Sequence, residues 1–171
     1  MVRNGGNFGY YSVVTNPIII VKEPKRVMAK IQIVIGSVTG TAEGVADFLK
    51  DELDSEHSID TNVDTTVEDL VRDDGELLLF CTSNTGCGDL PDNIYPLYED
   101  LRETPPKIAG RKYALINIGD SSFPTFGEAG VALDEALKDI GAEPIAESLL
   151  IDVGEERYPQ KIALEWVKSI L

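Results

Sequence analysis

Between Ile33 and Leu49 the sequence reads IVIGSVTGTAEGVADFL, an apolar run that passes through a turn of glycines and hydroxyl residues into helical spacing. Gly36 and Gly40 let backbone approach a ligand closely, and Ser37, Thr39 and Thr41 supply hydroxyl donors. A helix that starts here presents free N–H groups and a partial positive charge, so an anion can be held without any cation. Neither the Gly-Lys-Ser/Thr of a nucleoside-triphosphate loop nor the G-x-G-x-x-G of a dinucleotide fingerprint is present, which suits a single terminal phosphate. A capped helix start that binds nothing is the competing reading. Further on, CTSNTGCGDLPDN places Gly86 and Gly88 two apart, where the chain folds tightly against a flat ligand or takes positive φ. NIGDSSFPTF then carries Phe123 and Phe126, and an aromatic on such a loop can stack on a ring system. Phe126 equally suits packing against the core.

The elements that must position these loops alternate in type. IQIVIG is a short apolar run fit for a buried strand, and TAEGVADFLKDEL sets Val45, Phe48, Leu49 and Leu53 at helical spacing. A weaker strand is expected around SIDTNV, a strong one at ELLLFCTS, and helical spacing resumes in NIYPLYEDLR. KYALINIG reads as strand, EAGVALDEALKDIG as a helix ended by Gly141, EPIAESLLID as strand and QKIALEWVKSIL as the closing helix. Five such alternations predict an α/β domain with a parallel sheet covered on both faces, whose ligands lie beyond the carboxyl ends of the strands at a switch in strand order. The loops at 36–42, 82–93 and 119–127 leave those ends.

At 171 residues one domain is expected, over 28–171, with residues 1–27 as a flexible or appended extension. From Ile31 onward the chain holds 10 basic and 29 acidic residues. That surface repels nucleic-acid phosphates and anionic lipid and attracts a partner with a basic patch, although solubility alone is a sufficient reason for it. Two cysteines, Cys81 and Cys87, match neither zinc spacing nor a disulfide framework, so a reducing, cytoplasmic setting is expected. No apolar run approaches the ~18 residues of a membrane span.

Taken together, GSVTGTAEG, TSNTGCGDLPDN and NIGDSSFPTF resemble the flavodoxins, most closely the short MioC-type flavodoxins and the FMN domains of diflavin reductases. The resemblance covers about Ile31 to Leu171. It implies a flavodoxin-like, doubly wound, five-stranded parallel sheet of order 2-1-3-4-5 in three layers, non-covalent FMN and one-electron transfer. By the same resemblance, Ser37, Val38, Thr39, Gly40, Thr41 and Ala42 would bind the FMN phosphate, the hydroxyls through side chains and Val38, Gly40 and Ala42 through backbone. Thr82, Ser83, Asn84, Thr85, Gly86, Cys87 and Gly88 would line one side of the isoalloxazine ring. Asn117, Gly119, Asp120, Phe123 and Phe126 would line the other, with Phe123 as the stacking aromatic. Relatives commonly carry an aromatic or histidine before the loop glycine; Thr85 stands there in this chain, a departure from a two-aromatic sandwich. The resemblance also implies that the Gly86 peptide reorients so that its carbonyl accepts a hydrogen bond from the reduced ring.

The function expected is therefore a low-potential electron carrier, monomeric and not itself an enzyme. It would stand between an NAD(P)H-dependent flavodoxin reductase and a redox acceptor enzyme with a basic docking face, without nucleic acid or membrane. Asp89, Asp92 and Asp120, with no lysine nearby, disfavour added negative charge on the ring. The acidic surface around 82–93, with Glu99 and Asp100, reads as the docking face. Competing expectations are an NAD(P)H-dependent flavin quinone reductase and a flavin-free interaction module. A signalling receiver is disfavoured, because Gly36-Ser37 and Thr82-Ser83 occupy the places where its acidic residues belong. His57 is expected on the surface, Cys81 in a buried strand, Cys87 as a small loop residue and Trp166 packed on the closing helix. No metal-binding cluster stands out.

Overall fold

Alternate residues of the first strand, β1 (Lys30–Gly36), point to opposite faces. Ile31, Ile33 and Ile35 enter one hydrophobic cluster and Val34 enters the other, so this strand is buried on both sides. The computed structural model describes residues 28–171; the extension expected over 1–27 lies outside them. After β1 come α1 (Thr41–Leu53), β2 (Ser58–Asn62), α2 (Val67–Val71), β3 (Glu76–Ser83) and α3 (Tyr95–Glu103). The chain continues through β4 (Lys112–Gly119), α4 (Glu128–Asp139), β5 (Glu143–Pro144), β6 (Leu149–Asp152) and α5 (Pro159–Ile170).

All pairings are parallel, in the order β2-β1-β3-β4-β5, with β6 also on β4. The expected three-layer architecture and strand order are both present. Helices α1 and α5 pack on the Ile31 face; Leu97 and Leu101 of α3 and Leu133 and Leu137 of α4 pack on the Val34 face. The order changes direction between β1 and β3, which places the ends of those two strands at the switch point.

Two departures have physical reasons. The single strand expected over 143–152 is two pieces. Tyr113 faces Pro144 while Ile116 faces Leu149, so two intervening residues on β4 are matched by four on the outer strand. The ladder runs past Pro144, with the Ile145 amide donating to the Tyr113 carbonyl at 2.8 Å, before it breaks, and an edge strand tolerates such a bulge. The five-residue α2 was not expected; it is too short to show periodicity but is fixed by a capping box between Thr66 and Asp69. As expected, Gly141 ends α4: the helix stops at Asp139, and Gly141 with φ 83° takes the left-handed position past its end.

Cys81 is buried as expected, donating to the Ala42 carbonyl at 3.4 Å, and burial pushes its thiol up to about 12. Trp166 packs against the Ile31-face cluster. His57, expected on the surface, is half-buried, and its Nδ1 accepts a hydrogen bond from the Ala29 amide at 3.2 Å. Gln32 lies on the Val34 face of β1, fully buried, with neither amide atom bonded to any described residue. Among the described residues no helix is long and apolar enough to cross a membrane, and no cluster of His, Cys, Asp and Glu could hold a metal ion.

Candidate functional site

The chain leaves β1 at Gly36, where a Cβ would stand 2.5 Å from Thr82 Oγ1 and 2.8 Å from Ile94 Cγ2, so only glycine lets the turn start this close to β3. Ser37 then donates its amide to Asn93 Oδ1 at 3.0 Å, and Gly40 donates its amide to Ser37 Oγ at 3.0 Å. Gly40 is the N-cap of α1. These bonds leave the amides of Val38, Thr39, Thr41 and Ala42 without an acceptor among the described residues. The Thr39 and Thr41 hydroxyls lie 3.4 Å apart on the same exposed turn. The turn thus offers several free N–H groups, hydroxyls and the positive end of a thirteen-residue helix in one place.

The loop after β3 is a small closed hairpin. Thr85 and Asp89 exchange backbone hydrogen bonds of 2.9 and 2.8 Å, and the Gly88 amide adds one to Thr85 at 3.1 Å. Gly86 and Gly88 at its tip have φ of 52° and 91°, the conformation their spacing implied. Asn84 fastens the base of this hairpin to the next strand and helix: its Nδ2 donates to the Ile118 carbonyl at 3.1 Å and its Oδ1 accepts from Ala129 at 2.9 Å. The loop after β4 is held by a different residue. Asp152 Oδ1 accepts from the amides of Ser121 at 3.1 Å and Gly154 at 2.9 Å, and the Ser121 side chain leads the hydrogen bonds that hold this carboxyl below the usual carboxylate range.

Between the three loops lies a cleft of about 340 Å³, within the roughly 300–1,000 Å³ typical of small-molecule sites. Val38, Thr39 and Thr41 border it on one side; Ser83, Asn84, Thr85, Gly86 and Gly88 form another wall; Gly119, Asp120, Phe123 and Phe126 form the third. Ile118, Thr125 and Val153 complete the lining, and of these only Val153 lies outside the NIGDSSFPTF stretch expected to face the ring. Six expected residues do not line it. Ser37 and Gly40 are half-buried and bonded to each other within the turn, and Ala42 and Thr82 are fully buried. Cys87 is exposed at the hairpin tip. Asn117, 4% exposed, donates to the Gly127 carbonyl at 2.7 Å and so holds the start of α4. The lining contains no lysine or arginine, and Phe123, 57% exposed, projects at the mouth. Asn93 and Asp152, which tie the loops down, were also missed: the partners by which they join separate loops, Ile35, Ser37 and Val63 for Asn93 and Ser121 for Asp152, are distant in sequence, so no local spacing signals them.

The flavodoxin sequence profile matches residues 33–166. The chain belongs to the flavodoxin family. Protein MioC of Escherichia coli K12 is 36% identical over 91 residues, which are 53% of this chain and 62% of that protein. The NADPH sulfite reductase flavoprotein alpha-component of Vibrio cholerae is 36% identical over 95 residues, 55% of this chain and 15% of that one. Among solved structures, a cysteine-to-alanine mutant of flavodoxin from Pseudomonas aeruginosa has a TM-score of 0.74 and 32% identity, covering 82% of this chain and 95% of that one. The chain spans about 62% of the length of the curated relatives it matches first. The cofactor of this family is FMN, and the cleft suits it. A cation-free turn of free amides and hydroxyls matches one phosphate, and the lining beyond it, with Ile118, Phe123, Phe126 and Val153, matches a flat ring.

Proposed function

We propose that the protein is an FMN-dependent one-electron carrier of low potential, a single domain over 28–171 that works between an NAD(P)H-dependent flavin reductase and an acceptor enzyme with a basic docking face. The observation that carries this reading is the meeting of the cation-free turn at α1 with the two glycine and aromatic loops after β3 and β4 around one cleft. When bound, FMN supplies reversible electron uptake, one electron at a time.

The chain's own residues would set the terms of that chemistry. Val38, Thr39, Thr41 and Ala42 would hold the phosphate through their amides, with the Ser37, Thr39 and Thr41 hydroxyls as further donors. Phe123 would cover one face of the ring, and the hairpin at Thr85–Asp89 would run along its edge. The Gly86 carbonyl and the Cys87 amide have no hydrogen-bond partner among the described residues, so turning that peptide breaks no bond, and glycine makes the turn sterically cheap. Asp89, Asp92 and Asp120 are not ion-paired among the described residues, and they raise the cost of placing negative charge between them. The same acids, together with the exposed Glu99 and Asp100, would guide a basic partner to the ring edge.

The test is anaerobic mixing of the FMN-loaded full chain with NAD(P)H, with and without a separate flavin reductase. Bleaching of the flavin only when the reductase is present is expected. Steady NAD(P)H consumption by the isolated chain with a quinone would overturn the carrier reading.

A further inference from the structure

We infer that Asn93 is a positioning residue for the phosphate turn, one that orients the α1 amides without touching the phosphate itself. This rests on the FMN reading of that turn. Asn93 ends the loop after β3, held between the buried Leu90, Pro91 and Ile94, with the Ile94 and Tyr95 amides both donating to the Pro91 carbonyl at 3.0 Å. From this fixed base its side chain reaches three other segments. Nδ2 donates to the Ile35 carbonyl at 2.7 Å and to the Val63 carbonyl at 2.6 Å, while Oδ1 accepts the Ser37 amide at 3.0 Å.

Two carbonyls demand a donor and one amide demands an acceptor, so a single orientation of a carboxamide satisfies all three. Aspartate would set a carboxylate oxygen against two carbonyls, and alanine would leave all three groups without this partner. The Val63 end is itself anchored, because Asn62 accepts from Asp64 at 3.0 Å and donates to Asp69 at 3.2 Å. Asn93 therefore joins the end of β1, the β2–α2 connection and the first residue of the phosphate turn. With the Ser37 amide bonded to Asn93, the amides that follow it at the exposed Val38 and Thr39 have no acceptor among the described residues and remain available to an anion. Preorganisation of donors is what such a site contributes to affinity.

The experiment compares FMN with riboflavin, which lacks the phosphate, on the full chain carrying Asn93→Ala or Asn93→Asp. The ratio of the two dissociation constants cancels effects on the fold as a whole. A loss of FMN affinity of about tenfold in the alanine variant, with riboflavin affinity unchanged and a larger loss in the aspartate variant, is expected. Equal weakening of both flavins, or an unchanged FMN constant in both variants, would overturn the assignment. Should the alanine variant fail to fold, amide exchange on the wild-type apoprotein decides: Ser37 is expected to exchange far more slowly than Val38, and equal rates would overturn the proposal. A wild-type chain that binds riboflavin as tightly as FMN would instead remove the phosphate reading, and this inference with it.

Discussion

The two edges of the sheet treat charge in opposite ways. At the amino-terminal edge, Lys30 pairs with Asp73 at 2.8 Å, Arg72 with Asp60 and Glu76 at 2.7 and 2.9 Å, and Lys112 with Glu143. Arg111, buried at that edge, donates to the carbonyls of Asp73 and Glu76. At the carboxyl-terminal edge the cleft lining contains no cation, Asp89, Asp92 and Asp120 are not ion-paired among the described residues, and the loops are tied by the neutral Asn84, Asn93 and Asn117 and by Asp152. The net charge is thus not a uniform coat. Cations close one edge, while the cleft at the other offers an anion only helix amides and hydroxyls.

The sharpest way to break this contrast is to place a carboxylate in the turn. Thr41→Glu sets a negative side chain at the helix start, and FMN affinity is expected to fall by about a hundredfold or more, read by quenching of flavin fluorescence. At the opposite edge, Arg111→Met removes donors to two backbone carbonyls. Unfolding free energy is expected to drop by about 1–3 kcal/mol in urea titrations, with the FMN constant of the folded protein unchanged. A change in that constant would show that the two edges are not independent.

Smaller effects sharpen the picture. With Phe123 proposed as the residue covering the ring, Phe123→Ala is expected to lose roughly tenfold in FMN affinity, shared by riboflavin because the phosphate is not involved. Replacing Asp92 and Asp120 together by asparagine is expected to raise the reduction potential by about 20–60 mV, measured by anaerobic titration, since ~59 mV is a tenfold shift for one electron. Gln32→Leu removes a buried amide that has no partner and is expected to stabilise the fold by about 1 kcal/mol, with no change in potential.

Much of this organisation was legible in the sequence, for reasons of range. Ile33 to Leu49 announces strand, turn and helix because each signal is local: an apolar run, hydroxyls beside glycines, then helical spacing. Gly86 and Gly88 announced positive φ in the same way. What was not legible depends on partners far along the chain. Asn93 reads locally as an ordinary residue before a helix, and its partners at Ile35, Ser37 and Val63 appear only when β1, β2 and β3 lie side by side. Asp152 likewise meets Ser121 across 31 positions. Asn117 sits in a motif that suggested ring contact, yet its side chain bonds at the start of α4 because Gly127 and Gly130 come against it there; Asn84, which lines the cleft, also accepts from Ala129. The split of the outer strand was not visible, because the two extra residues opposite β4 depend on register.

A cleft whose lining carries no cation is proposed to hold FMN by its phosphate. This is tested most directly by titrating the purified full chain with FMN and with riboflavin under identical salt, following flavin fluorescence. FMN is expected to bind about a hundredfold more tightly than riboflavin, because charge-assisted hydrogen bonds from the turn are made only to the phosphate. Equal affinities, or no binding of FMN at saturating concentration, would contradict it.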